Sequence, residues 1–218
     1  MRSRHGLLLV LMVVALAATE ARSAGDPVLA QLAKLNRTQL QRAALSLARE
    51  AITQYVLRRR VIRPSKSLPA AFRRLRAGAF VTVIVKGRSR ACMGAVAPTQ
   101  SDLAREIIQA AVNAASDDPW HRPLRREELK DLEYTVSICG EPRRMHTLGE
   151  LVADRDGLMV RLGIRGSVVL PGEAKTASYA LHEARRKAGI KPGEHPEWWR
   201  FPVMRLTETH PSGRRGRA

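Results

Sequence analysis

A chain of 218 residues, 44% hydrophobic and 27% charged, is long enough to bury a core without disulfide staples and falls outside the disordered class. A formal net charge of +18 points to anionic partners (nucleic acid, acidic lipid headgroups or envelope polymers) or to a general bias toward arginine. Aromatic content of only 4%, with basic residues in short clusters rather than one tract, argues against a stacking platform for single-stranded nucleic acid.

In chain order, Arg2 and Arg4 precede an apolar run over 6–18, followed by small residues up to Ala24. This is the pattern of a secretory signal peptide over 1–24, with an uncleaved anchor as the alternative. Its apolar part is too short to span a bilayer comfortably as a helix. The mature protein is therefore expected to be exported, periplasmic or extracellular, with no transmembrane helix. Residues 25–37 read as a loose linker. A helix is expected from Thr38, read as its N-cap, because Leu40, Ala44, Leu47, Ala48, Ala51, Ile52 and Val56 recur at three- and four-residue spacing. Pro64 and Pro69 mark a loop.

Residues 79–85 read as a strand and Cys92–Val96 as a second, joined by a short hairpin at Lys86-Gly87-Arg88. Ser101 is placed to cap a helix over 102–116, which Asp117-Asp118-Pro119 ends. A short helix is expected around 126–129, and Leu132–Ile138 alternates as a half-buried strand. A helical turn at Thr147–Leu151 follows, then a hairpin of 157–162 and 166–171 around Gly163. A helix over 173–188 stops at Gly189, and an extended stretch runs from Trp198 to Leu206. The basic tail 209–218 reads as disordered. Hairpin-joined strands with helices between them argue an α+β architecture.

The chemistry concentrates at Arg88-Ser89-Arg90-Ala91-Cys92-Met93-Gly94. A thiol beside cations has its thiolate form favoured. In a regular strand Arg90 and Cys92 share a face, and Arg88 joins them if the strand continues that far, so guanidinium groups facing the thiol there would lower the Cys92 pKa. Cys92 and Cys139 are the full cysteine inventory. In an oxidising compartment they can pair, or both can be buried free thiols; geometry decides.

These motifs, in order, resemble the AMMECR domain family over about residues 38–208. Leu47-Ala48-Arg49-Glu50-Ala51-Ile52 is similar to its opening helix. Phe80-Val81-Thr82-Val83 followed by Arg90-Ala91-Cys92-Met93-Gly94 is similar to its strand and its Arg-Gly-Cys-Ile-Gly signature. Asp118-Pro119, Pro123-Leu124, Glu128-Leu129, Val136-Ser137-Ile138, Gly157-Leu158, Leu170-Pro171 and Lys187-Ala188-Gly189 follow in the expected order. Ala91 and Met93 depart from the signature, and Trp120-His121-Arg122 replaces an Arg-Phe-Pro run. The resemblance implies an α+β fold with an antiparallel sheet and flanking helices in a larger lobe, a smaller C-terminal α+β lobe, and a cleft between them. It also implies association, in some organisms, with the Memo protein and a radical SAM enzyme. It implies no reaction.

The functional expectation is a binding or accessory role for a small anionic or polymeric ligand at a cleft around Arg90, Cys92 and Gly94. Arg88 and Arg122 would supply further guanidinium forks, and Asp118 and His121 would stand beside them. The alternative is a cysteine-dependent enzyme, hydrolytic or redox, with Cys92 as nucleophile and His121 or His146 as its base. Nucleic-acid or polyanion binding is a third reading, disfavoured for nucleic acid by export and few aromatics. Cys92, Cys139, His121 and His146 make a metal site only arithmetically, since no ligand spacing supports one. Neither a metal nor a cofactor is called for.

Overall fold

In a computed structural model, which describes residues 26–208, the apolar periodicity after Asn36 becomes a 22-residue helix, α2 (Arg37–Arg58). Its cap lies two residues before the expected Thr38: the Asn36 side chain accepts from the Gln39 N–H at 3.0 Å. The segment read as a linker holds a helix of its own, α1 (Pro27–Ala33). Asp26 caps it, accepting from Val28 and Leu29, with Pro27 in the first turn, where its missing N–H costs nothing. Leu32 is fully buried, and the second Asp26 oxygen accepts from the Glu141 N–H at 2.6 Å, which fastens α1 to the large lobe. The signal segment and the basic tail expected from the sequence lie outside the described residues.

The loop after α2 contains a short helix, α3 (Ala70–Arg74), whose Phe72 enters the core. Strands β1 (Gly78–Val85) and β2 (Arg88–Gly94) form the expected hairpin, but β2 runs from Arg88 to Gly94 rather than from Cys92 to Val96. Helix α4 (Leu103–Ser116) follows, capped by Asp102 rather than Ser101, because the Asp102 carboxylate accepts from the Arg105 N–H at 2.9 Å. A 3-10 turn at Arg126–Asp131 leads to β3 (Glu133–Cys139). Next come β4 (Arg143–Arg144), β5 (Asp156–Leu162), β6 (Arg165–Val169), α5 (Ala177–Lys187) and β7 (Glu197–Thr207).

All the strand pairings are antiparallel, in the order β2-β1-β3-β7-β5-β6, with β4 also on β7. The α+β class expected from the hairpins is the class observed. Strand β7 serves both halves of the sheet. Its Val203–Thr207 portion pairs with β3, and its Glu197–Pro202 portion pairs with β5. Helices α1, α2 and α4 cover one face of β1–β3 and close the larger core around Val81, Val83, Tyr134, Val136 and Ile138. Helix α5 packs on β5 and β6 over a smaller core with Leu158, Val160 and Val169. A third cluster, centred on Phe80, Cys139, Leu170 and Phe201, joins the two where β7 passes between them. Among the described residues no helix is long and apolar enough to cross a membrane.

Candidate functional site

The face of β1–β3 turned away from the helices is where the chemistry collects. A strand places alternate side chains on opposite faces. With Val81 and Val83 in the helix-covered core, Phe80, Thr82 and Ile84 face the other way. Thr135 and Ser137 stand beside them on β3, and Cys92 and Gly94 on β2. The sequence marks Thr135 and Ser137 as the polar side of a half-buried strand. Both are instead buried, because the smaller lobe lies over that side. Between the lobes is a cavity of about 1050 Å³. Met159, Val168 and Leu170 form its opposite wall, the loop Asp118–His121 one rim, and Glu173, Arg186, Lys187 and Arg205 the other.

Cys92, Gly94, Asp118 and His121 are brought together as lining of this cavity; Arg88, Arg90 and Arg122 are not. A bulge is the reason. Thr82 pairs with Cys92 and Val83 with Ala91, but Ile84 pairs with Ser89, so Arg90 is the extra residue. Ser89 therefore takes the cavity-facing position that strict alternation gives to Arg90. The Arg90 guanidinium turns to Glu128, with Nε donating to Oε1 at 2.7 Å and Nη2 to Oε2 at 3.3 Å, and also to the Arg122 carbonyl at 3.0 Å. Burial works to raise the Glu128 pKa, but the hydrogen bonds from Arg90 and the Arg125 N–H prevail and hold it below its ordinary value. Arg88 and Arg122 are exposed.

Without those cations the thiol behaves opposite to the sequence expectation. Cys92 is half-buried, and its Sγ lies 3.2 Å from the Thr82 hydroxyl. Burial, the largest cause, pushes its pKa up to about 11, although the Thr82 hydrogen bond pulls the other way. The sulfur therefore keeps its proton at neutral pH, and its hydrogen bond goes to a hydroxyl rather than to a histidine. Cys139 is buried in the joining cluster, and burial pushes its thiol up further. The two are free thiols. They sit on opposite sides of β1, opposite Thr82 and Gly78 respectively, so their Cα atoms are separated by about 13 Å along that strand, too far for a disulfide. His146 lies elsewhere, its N–H on Glu150. Among the described residues no cluster of His, Cys, Asp and Glu is placed to hold a metal.

Asp118 is more than a helix terminator. Its carboxylate is buried, with Oδ2 accepting from the Cys92 N–H at 2.8 Å and Oδ1 accepting from the Trp120 N–H at 2.8 Å. It thereby caps an edge-strand amide and fixes the rim loop. The Nδ1 of His121 is 3.1 Å from Oδ1, so that nitrogen carries the proton. Gly94 is required by contact: a Cβ there would sit 2.1 Å from the Ala79 carbonyl oxygen.

The far rim of the cavity carries no mark in the sequence. Lys187 Nζ donates to Glu173 Oε2 at 2.7 Å, and Arg186 pairs with Glu183. Arg205 stands opposite Ser137 in the β3–β7 register, and its guanidinium packs against Gly172, where a Cβ would lie 2.5 Å from Nη1. Among the described residues it has no ion pair, so it is the cation of the cavity left free to meet a ligand. No local motif marks it; only the pairing of β7 with β3 brings it here.

Comparison with known proteins matches residues 45–206 to the AMMECR1 family model. A Thermotoga maritima protein is 36% identical over 163 residues, covering 71% of this chain and 91% of its own length. One from Methanothermobacter thermautotrophicus is 35% identical, covering 76% of this chain and 88% of its own. Among solved structures, the uncharacterized protein PH0010 of Pyrococcus horikoshii superposes with a TM-score of 0.69 at 28% identity, covering 74% of this chain and 88% of that one.

Proposed function

From the premise that this chain belongs to the AMMECR1 family, a family of uncharacterised function, we propose that it is a binding protein whose inter-lobe cavity holds a small organic anion. The observation that carries this reading is the pairing of an apolar and hydroxyl-lined wall with one unpaired guanidinium, Arg205, at the rim. A cavity of this size suits a ligand with an apolar body. Phe80, Met159, Val168 and Leu170 cover that body, the Thr82, Thr135 and Ser137 hydroxyls set its orientation, and Arg205 receives its carboxylate or phosphate. A cysteine enzyme fits less well, because the Cys92 thiol is held protonated and has a hydroxyl for its partner.

Calorimetric titration with a panel of aromatic and alkyl carboxylates, each beside its neutral amide, tests the reading. The acids should bind more tightly than the amides, and Arg205→Gln should weaken the acids by about 10- to 100-fold while leaving the amides unchanged. Equal affinity for acid and amide, or no response to Arg205→Gln, overturns it.

A further inference from the structure

The far end of α2 lies on the helix-covered side of the larger core, away from the cavity floor, and is strongly basic. No aspartate or glutamate stands between Glu50 and Asp102, whereas Arg58, Arg59, Arg60, Arg63, Lys66, Arg73, Arg74 and Arg76 fall in that interval. All eight of these side chains are exposed. Arg58, Arg60 and Arg63 line one recess of about 550 Å³, together with Glu50 and Gln54. Among the described residues none of those three guanidinium groups has an ion pair, so the recess carries three free cations against one carboxylate.

Charge alone does not choose a partner, but the residues between the arginines do. Leu57 is 41% and Val61 52% exposed, which places two of the molecule's exposed large hydrophobic side chains inside its most basic segment. Ile62 turns inward onto the core, which holds the segment in place. Protruding aliphatic side chains gain nothing against a nucleic-acid backbone. Base recognition would use exposed rings, and the one ring here, Tyr55, is half-buried beneath Arg59 at 5.3 Å. Cations that ring exposed aliphatic groups are what an anionic bilayer surface accommodates: phosphates meet the guanidinium groups and the aliphatic groups enter the acyl boundary. We infer that the Leu57–Arg63 segment is a docking surface for anionic lipid, with the Arg58, Arg60 and Arg63 recess taking a headgroup phosphate.

Vesicle co-sedimentation of the full chain decides the matter. Vesicles of equal parts phosphatidylglycerol and phosphatidylcholine are compared with pure phosphatidylcholine, whose baseline absorbs any contribution of the apolar residues 6–18. Anion-dependent binding is expected, falling about a hundredfold in R58Q/R60Q/R63Q and about tenfold in L57N/V61N. All five positions are solvent-exposed, and circular dichroism checks that the variants keep their fold. Unchanged binding in the arginine variant overturns the inference. So does an L57N/V61N variant that binds like the parent while duplex DNA competes at equal phosphate concentration, since the surface is then a general polyanion site.

Discussion

Cys92 keeps its proton because burial disfavours the charged thiolate while the bulge turns the Arg90 guanidinium to Glu128. Alkylation by iodoacetamide, followed against pH, should therefore be slow at neutrality and rise with an apparent pKa near 11. Cys139, only 2% exposed, should remain unlabelled in the native protein. Thr82→Val removes the hydrogen bond that lowers the thiol pKa and should shift the profile to still higher pH. An apparent pKa at or below 9.0, the ordinary value of a free thiol, would contradict this account and return Cys92 to the list of nucleophiles. The same shift bears on stability. A thiol whose pKa is raised by folding makes a contribution to stability that is fully present below the unfolded value and is lost as pH climbs from there toward 11. Unfolding free energy should thus show no pH dependence from Cys92 near neutrality and decline above about pH 9, more steeply in the parent than in Cys92→Ser.

At the scale of elements, the hairpin of β1 and β2 shows what local pattern can and cannot convey. Lys86 and Gly87 both take positive φ, 51° and 74°, as a two-residue turn of the primed type requires. Glycine meets this freely and lysine does not, so Lys86→Asn should stabilise the fold by up to about 1 kcal/mol, seen as a higher denaturant midpoint with an unchanged slope. A lower midpoint would mean that the turn is held by something other than its dihedral preference. The turn was legible because its glycine follows an unbroken apolar strand, and α4, β3 and the β5–β6 hairpin were legible from their periodicity. The bulge at Arg90 was not, since no residue there marks it and a single insertion reverses which side chain faces the cavity. Helix α1 carried a signal that composition hid: Asp26-Pro27 is a capping pair, but the surrounding stretch is too short for periodicity to show. The two residues of β4 leave no local trace, because such short pairing is decided by the partner strand.

Over the whole molecule, the long strand β7 settles whether the lobes are independent. Each lobe has its own apolar cluster, yet neither closes its half of the sheet without β7. Phe201 lies in the β5-paired portion of that strand, fully buried in the cluster that joins the lobes, and its ring fills the space where Gly157 has no side chain. The Arg205 rim and the β3 floor of the cavity are therefore held to the smaller lobe by the same strand that completes both cores, so the cavity should exist only while the lobes fold together. Urea unfolding followed by tryptophan fluorescence, which reports largely on Trp198 and Trp199 in the β5-paired portion, should coincide with unfolding followed by far-ultraviolet circular dichroism, dominated by α2 and α4 in the larger lobe. Phe201→Ala should lower stability by about 3–5 kcal/mol in both signals at once, because the cavity it leaves opens at the junction. If the fluorescence transition moves to lower urea while the helical signal stays in place, the lobes are separable units, and the site between them has to be understood as an interface that opens rather than a recess built into one fold.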